Sequence, residues 1–284
     1  MMINRLFLCT DLDRTLLPNG TQPESAEARE FFRRLSSQPE LTLAYVTGRH
    51  RMLVERVISL YRLPVPNFVI ADVGTTIYQY QANSLQRMRE WDDIIAGDWS
   101  GKTHADIKAM FADLSALRLQ ELNKQNIHKL SFYVTLNTDH EKLIVQMQSR
   151  LEAAGIRASL IWSVDEPAGV GLLDVLPANA TKRHAIEFLM QCCGFTLDNT
   201  VFAGDSGNDL PVLTSPIHSI LVANASDAVR VAAAKQAGDA GLSDALYLAH
   251  GGYRQMNGNY SAGILEGVIH YIPEAEMWLN RQAQ

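Results

Sequence analysis

Cysteine is scarce in this chain: 284 residues include three, Cys9, Cys192 and Cys193. An odd count without CxxC spacing argues against a disulfide framework and against a zinc site. Cys9 lies in an apolar run and the vicinal pair in a helical pattern. All three are expected to be small buried hydrophobes in a reducing compartment. Clustered positive charge is missing too. Lys and Arg total 25 against 31 Asp and Glu, a formal net charge of -6. With no Lys/Arg block, no nucleic-acid partner is expected. No apolar run approaches a membrane span, so no membrane partner is expected. Met1 to Cys9 reads as a strand leading into a carboxylate pair, not as a signal peptide, and the cytoplasm is the expected location. Internal repeats and low-complexity segments are absent. What is present is 47% hydrophobic and 20% charged residues, enough for a real core in one large domain or two smaller ones. An acidic protein that handles an anion must build a local positive site from backbone N–H groups, a Lys or Arg, and a metal.

The chain is organised around Asp11-Leu12-Asp13-Arg14-Thr15, directly after the apolar run Leu6-Phe7-Leu8-Cys9. The i, i+2 spacing at a strand end puts both carboxylates on one side. The same residues also read as turn chemistry, since Asp and Thr favour turns. Further strands are expected at Leu41–Val46 and Asn67–Ala71. Helices with the apolar faces Ala28, Phe31, Phe32, Leu35 and Leu53, Val57, Leu60, Tyr61 precede them. Strands alternating with helices mark a parallel sheet with helices packed on it.

From about residue 84 to 177 the texture changes. Trp91, Trp99 and Trp162 fall here and are expected to pack the core of this region. Leu130, Phe132, Val134 and Leu136 alternate as in a half-buried antiparallel strand. Thr138 and Glu141 have the spacing of a capping box, ahead of a helical face of Leu143, Met147 and Leu151. After Pro177 the first texture resumes, with a helix carrying Ala185, Phe188, Leu189 and Cys192, short strands near 200–203 and 217–223, and a last helix at Ser261–Tyr271. The expected fold is α/β: a Rossmann-like parallel-sheet core of residues 1–83 and 178–284, with an inserted α+β domain at 84–177.

Three predicted strands end in polar loops: the Asp11–Thr15 stretch, Thr47-Gly48-Arg49, and Gly204-Asp205-Ser206-Gly207-Asn208-Asp209. Parallel strands deliver such loops to one sheet edge, with Lys182 at a helix start nearby. Asp11, Asp13 and Asp205 offer the hard oxygens that magnesium prefers. Without a cation, crowded carboxylates repel and raise a pKa. One Asp can attack phosphorus as a nucleophile, giving an aspartyl-phosphate. A second can protonate the leaving alkoxide and later take a proton from water. Thr47, Lys182 and backbone N–H groups would hold the charged phosphoryl oxygens. Each residue alone reads as an ordinary cap or turn; their joint occurrence at strand ends carries the argument. His50, His104, His128 and His184 lack metal-ligand spacing and read as surface or structural.

These motifs, in this order, resemble the haloacid dehalogenase superfamily of phosphatases. Most of the chain is more narrowly similar to the sucrose-phosphate phosphatase family. The likeness rests on Leu43–Arg49, Val73–Tyr78, Lys124-Gln125-Asn126 with Lys129-Leu130-Ser131, Asp174–Pro177 and Ser261–Leu265. The resemblance implies that the insert is an α/β cap, that Asp11 is the nucleophile and Asp13 the acid/base, and that Thr47, Gly48 and Lys182 bind phosphate. It implies a Mg2+ cofactor held by Asp11, Asp205 and the backbone carbonyl of Asp13, supported by Ser206, Asn208 and Asp209. Gln125 and Asn126 would meet sugar hydroxyls with Lys129 close by, and Gly74 and Thr75 would line the core side of the sugar pocket. The implied substrate is a small-molecule sugar phosphate, sucrose 6-phosphate first. Mannosylfructose phosphate, glucosylglycerate phosphate and a hexose phosphate are the alternatives. A phosphomutase and a non-catalytic, synthase-binding module are the rival readings. The second is disfavoured by the presence of both Asp11 and Asp13, although a sucrose-phosphate synthase can coexist as partner. A monomer is expected. The chain departs from the pattern at Arg183, where a Gly is usual, at Ile127-His128 before Lys129, and in a longer segment around His250–Asn259. The cap departures bear on which sugar is accepted.

Overall fold

The structure is a computed structural model that describes residues 5–165 and 168–281. Its larger sheet contains β1 (Leu6–Thr10), β2 (Leu41–Val46), β3 (Phe68–Ala71), β4 (Thr76–Gln81) and β5 (Ser84–Arg87). The smaller contains β6 (Arg118–Leu119), β7 (Leu130–Val134), β8 (Ala158–Asp165) and β9 (Val170–Pro177). β10 (Thr200–Gly204), β11 (His218–Leu221) and β12 (Leu246–Leu248) complete the larger sheet, whose order is β12-β11-β10-β1-β2-β3-β4-β5. From β12 to β3 the strands are parallel; β4 and β5 form an antiparallel hairpin at one edge.

Period-2 alternation explains why both faces of this sheet are covered. On β1, Leu6 and Leu8 join one core cluster, and Phe7 and Cys9 join the other. The helices Ala28–Ser36, Arg51–Tyr61 and Ser261–Tyr271 cover the first face, and Lys182–Cys193 and Asp227–Asp239 the second. The smaller sheet, ordered β6-β7-β9-β8, is antiparallel throughout. It packs Phe132, Val134, Leu173 and Val175 on Trp99, Phe111, Leu143 and Met147 in a third cluster.

Several expectations are corrected. β5 and the helix Arg89–Ala96 belong with the large sheet, because residues 84–87 pair with β4 and Trp91 and Ile95 sit in the second core cluster. We therefore propose a division with the cap at 97–177 and the core at 1–96 and 178–284. Trp91 donates its indole N–H to the Gly74 carbonyl at 2.9 Å and packs the core, not the cap. In the helix Arg51–Tyr61 the inward residues are Val54 and Val57, while Leu60 is 69% exposed. β7 is buried on both faces, and Leu136 lies beyond its end, exposed. The cap of the helix His140–Ala153 is Asp139, which accepts from Lys142 N at 3.0 Å; the Thr138 hydroxyl meets Thr135 instead. The buried stripe of the Lys182–Cys193 helix runs through Ala185, Ile186, Leu189 and Met190, which turns Cys192 outward. A further helix, Ala275–Asn280, follows Tyr271 and buries Ala275, Trp278 and Leu279.

Asp98, 1% exposed, joins the two chain crossings between cap and core. Its carboxylate pairs with Arg157 and accepts from Asn179 N at 2.7 Å and Asn179 Nδ2 at 3.0 Å. Among the described residues no helix is long and apolar enough to cross a membrane.

Candidate active site

The Asp11 loop starts where β1 ends, and Asp11 N donates to Ala203 O of β10 at 2.9 Å. That bond fixes the first carboxylate against the strand that carries Asp205. Lys182 opens its helix after the N-cap Thr181, whose hydroxyl accepts from His184 N at 3.1 Å. Its ammonium donates to Asp11 Oδ1 at 2.8 Å, Asp209 Oδ1 at 2.7 Å and Asn208 Oδ1 at 3.3 Å. Asp209 Oδ2 in turn accepts from Asp205 N, Ser206 N and Ser206 Oγ, each at 3.1 Å. Gly204 makes room for this, since a Cβ there would lie 2.7 Å from the Asp209 carboxylate. Asp205 is held more lightly: Thr15 Oγ1 donates to its Oδ1 at 3.1 Å, and Arg14 Nε stands 3.6 Å from its Oδ2.

Electrostatics follow from this crowding. Burial, reinforced by Asp209 and Asp205, outweighs Lys182 and pushes Asp11 up to about 7. Burial and the Asp209 charge push Asp205 up to about 6. Burial opposes the Lys182 ammonium, but Asp11 and Asp209 outweigh it and hold that pKa above its ordinary value. Asp13 is different. Burial raises it, yet the Arg49 fork, with Nε at 2.7 Å and Nη2 at 2.6 Å, and Asn19 Nδ2 at 2.7 Å bring it below the usual carboxylate range. An ionised Asp13 can take a proton; to give one it must first leave the Arg49 fork.

Asp11, Asp13, Thr47, Gly48, Lys129 and Asp205 line one cleft of about 460 Å3, with Ser206 and Asn208 at its side. Lys182 and Asp209, 3% and 0% exposed, lie beneath it. Four residues expected on the sugar are not in that lining. Gln125 spends its amide inside the cap loop, donating to Gln120 O and Ser131 O and accepting from Ser131 N. Asn126 reaches across to the core, donating to Thr75 Oγ1 at 2.9 Å while its carbonyl accepts from His128 N at 2.8 Å. Thr75 is fully buried under that contact. Gly74, at φ +105°, packs on the Thr181–Lys182 backbone, where a Cβ would lie 2.5 Å from Thr181 C. Asn126 and Thr75 hold the junction of cap and core, while Gln125 braces the cap loop and Gly74 the start of the Lys182 helix.

The cleft wall has members that the motif reading did not select: Arg49, Asp72, Gln120, Lys124 and Asp174. Asp174 pairs with Lys129 at 3.4 Å. Asp72 ends β3 and was available to the same strand-end argument that selected Thr47. The long C-terminal segment also has a role. Asn224 accepts from Tyr260 N at 2.8 Å and donates to Arg14 O at 2.6 Å, buttressing the Asp11–Thr15 loop.

A parallel sheet edge with this lysine-centred carboxylate set, under an inserted cap, defines a haloacid dehalogenase-type phosphoric monoester hydrolase. The family model of sucrose-6F-phosphate phosphohydrolases matches residues 4–272, and the chain belongs to that family. A HAD-like hydrolase of Nitrosococcus oceani is 51% identical over 98% of this chain and 75% of its own length. Sucrose-phosphatase 1 of Nicotiana tabacum is 28% identical over 78% of the chain; the chain spans about half (51%) of that protein. Mannosylfructose-phosphate phosphatase of Agrobacterium fabrum is 25% identical over 93% of the chain and 96% of its own length. The fold is shared with the sucrose-phosphatase of a Synechocystis species, solved with sucrose and phosphate, at a TM-score of 0.70 and 23% identity over 95% of this chain and 98% of that one.

Proposed function

We propose that the chain is a Mg2+-dependent phosphatase acting on a phosphorylated disaccharide, sucrose 6-phosphate first. The observation that carries this reading is the Lys182 ammonium bridging Asp11 and Asp209 at the floor of a cleft whose other wall is the cap.

Oxygens of Asp11, Asp205 and Asp209 lie within 4.8 Å of one another, a geometry that fits a cation. Asp209 is committed to Lys182 and to backbone N–H groups, so Asp11 and Asp205 keep the lone pairs for it. The raised pKa values of both fit the same assignment, because a site built for a cation is crowded with negative charge without one. When bound, Mg2+ supplies positive charge to the carboxylates and to the phosphate.

In the reaction, a carboxylate oxygen of Asp11, oriented by Lys182, attacks phosphorus. The P–O bond to the sugar breaks as the Asp11 O–P bond forms, and Asp13, released from the Arg49 fork and protonated from solvent beforehand, gives that proton to the leaving sugar oxygen. Thr47 and the Gly48 backbone N–H hold phosphoryl oxygens during transfer. Asp13 then takes a proton from the water that cleaves the aspartyl-phosphate. Arg49 holds Asp13 in its ionised form, ready for that second step.

The likeness to a mannosylfructose-phosphate phosphatase along nearly its whole length supports that disaccharide phosphate as the alternative substrate. The protein works as a monomer in this reading. A panel of sugar phosphates assayed for phosphate release with Mg2+ tests the proposal. Sucrose 6-phosphate is expected to exceed glucose 6-phosphate by about tenfold or more in kcat/KM. Equal rates would remove the disaccharide reading.

A further inference from the structure

We propose that Asp72 is a specificity-determining residue that binds hydroxyl groups of the sugar from the core side of the cleft. The proposal rests on the sugar-phosphate reading above and names a residue that the phosphoryl chemistry leaves unused.

Asp72 follows β3 and is 7% exposed, yet it lines the same cleft as Asp11, Thr47 and Lys129. Its placement there is built with care. Asp72, Val73 and Gly74 are consecutive at φ +52°, +64° and +105°. A left-handed β-branched Val is a genuine outlier, and such strain persists only where the surroundings impose it. Here they do. Asp72 N donates to Arg49 O at 3.1 Å and Val73 N to Thr47 O at 3.2 Å, so the turn is stitched to the phosphate-side loop. Gly74 is pressed against the Lys182 helix start from the other side. The turn therefore fixes a carboxylate at a set distance from Thr47 and from the floor of the site.

That carboxylate is under-used. Its protein hydrogen bonds come from Thr76 Oγ1, at a long 3.3 Å, and from Asn126. Among the described residues no ion pair within 4.0 Å involves it; the nearby cation Lys129 pairs with Asp174 instead. His50 and Lys129 reach Asp72 only through their fields. A nearly buried carboxylate has about four acceptor directions to fill, and leaving them unfilled is costly. Asp72 lies outside the Asp11, Asp205, Asp209 trio, and Asp13 already occupies the proton-transfer position beside Arg49. Adjacent sugar hydroxyls are the donors that fit: two O–H groups on one carboxylate make short, charge-assisted bonds. The cap wall opposite, with Gln120, Lys124 and the Lys129–Asp174 pair, offers further polar groups to the same ring.

The test uses Asp72→Asn and Asp72→Ala, each checked for folding by thermal melting. Both are assayed with Mg2+ on the best sugar phosphate and on p-nitrophenyl phosphate, which has no hydroxyls to bind. The readout is the ratio of the two kcat/KM values. The ratio is expected to fall by about tenfold or more in Asp72→Ala, which removes the acceptor, and in the same direction in Asp72→Asn, which keeps one acceptor oxygen but loses the charge and turns the other position into a donor, the fall carried by a higher KM for the sugar phosphate. An unchanged ratio, including a parallel loss on both substrates, overturns the proposal and leaves Asp72 a brace for the Thr47 loop. Should the wild type itself show no preference for sugar phosphates, the reading under Proposed function fails instead, and the two failures are told apart in one experiment. Asp72→Asn preserves shape and keeps the test valid if Asp72→Ala does not fold.

Discussion

At the floor of the cleft, Lys182 meets Asp11 across 171 positions of sequence, and Thr15 meets Asp205 across 190. On the cap side the contacts span shorter separations: Gln125, behind the wall, bonds to Gln120 and Ser131, Lys124 to Tyr133 and Glu121, and Lys129 pairs with Asp174. The floor is a closed network tied into the strand ends and a helix N-terminus, with its central residues nearly inaccessible. The cap wall is more open at Lys124, and it draws on both the loop before β7 and strand β9. Phosphoryl transfer demands fixed positions for one nucleophile and one charge set, and the floor supplies them. Recognition of a sugar can be retuned by changing loops, and the loop part of the cap wall is of that kind. The hinge between them is stapled by Asp98 and by Asn126 on Thr75, so the wall can vary while its distance to the floor is kept.

The contrast can be broken at the floor. Lys182→Ala leaves Asp11 and Asp209 buried without their shared cation. Loss of one partner from a buried ion pair costs about 3–5 kcal/mol, so Tm should drop by roughly 6–12 °C in a protein of this size, and turnover should vanish. A melting temperature within about 2 °C of wild type would show that the network is not what holds the floor. A smaller effect sharpens the same point. Asp11 and Asp205 have folded pKa values of about 7 and about 6, above their unfolded values. The metal-free protein therefore binds more protons folded than unfolded between about pH 4 and 7, and the contribution of these groups to stability is lost as pH rises through that window. Mg2+ should reverse this loss. Its stabilisation should be near zero at about pH 4.5 and grow as pH rises to about 7.5. Melting curves with and without Mg2+ at both values check this; a Mg2+ effect equal at the two would contradict it.

The strand-end rule made the floor legible. Asp11, Thr47, Lys182 and Asp205 each sit at the C-terminal end of a parallel strand or the start of a helix, so topology alone brings them together. The apolar run Leu6–Cys9 as a buried strand and the helix at Ser261–Tyr271 were equally readable. The cap wall was not. Whether the Gln125 amide faces a ligand or its own loop depends on backbone groups of Gln120 and Ser131 that no residue pattern records. The placement of Trp91 and Ile95 was not readable for a related reason: they look like any helical face, and only β5 joining the large sheet shows which core they serve. Arg49 was visible in the sequence, but its fork on Asp13 is a tertiary contact between two loops.

In the proposed reaction Asp11 is the attacking group at this floor. Steady-state phosphate release by Asp11→Asn against wild type, on the best sugar phosphate and on p-nitrophenyl phosphate, tests it most directly. Loss of at least about 10³-fold in kcat on both substrates, with circular dichroism unchanged, is the predicted result. Turnover within about tenfold of wild type in a folded Asp11→Asn protein would contradict it.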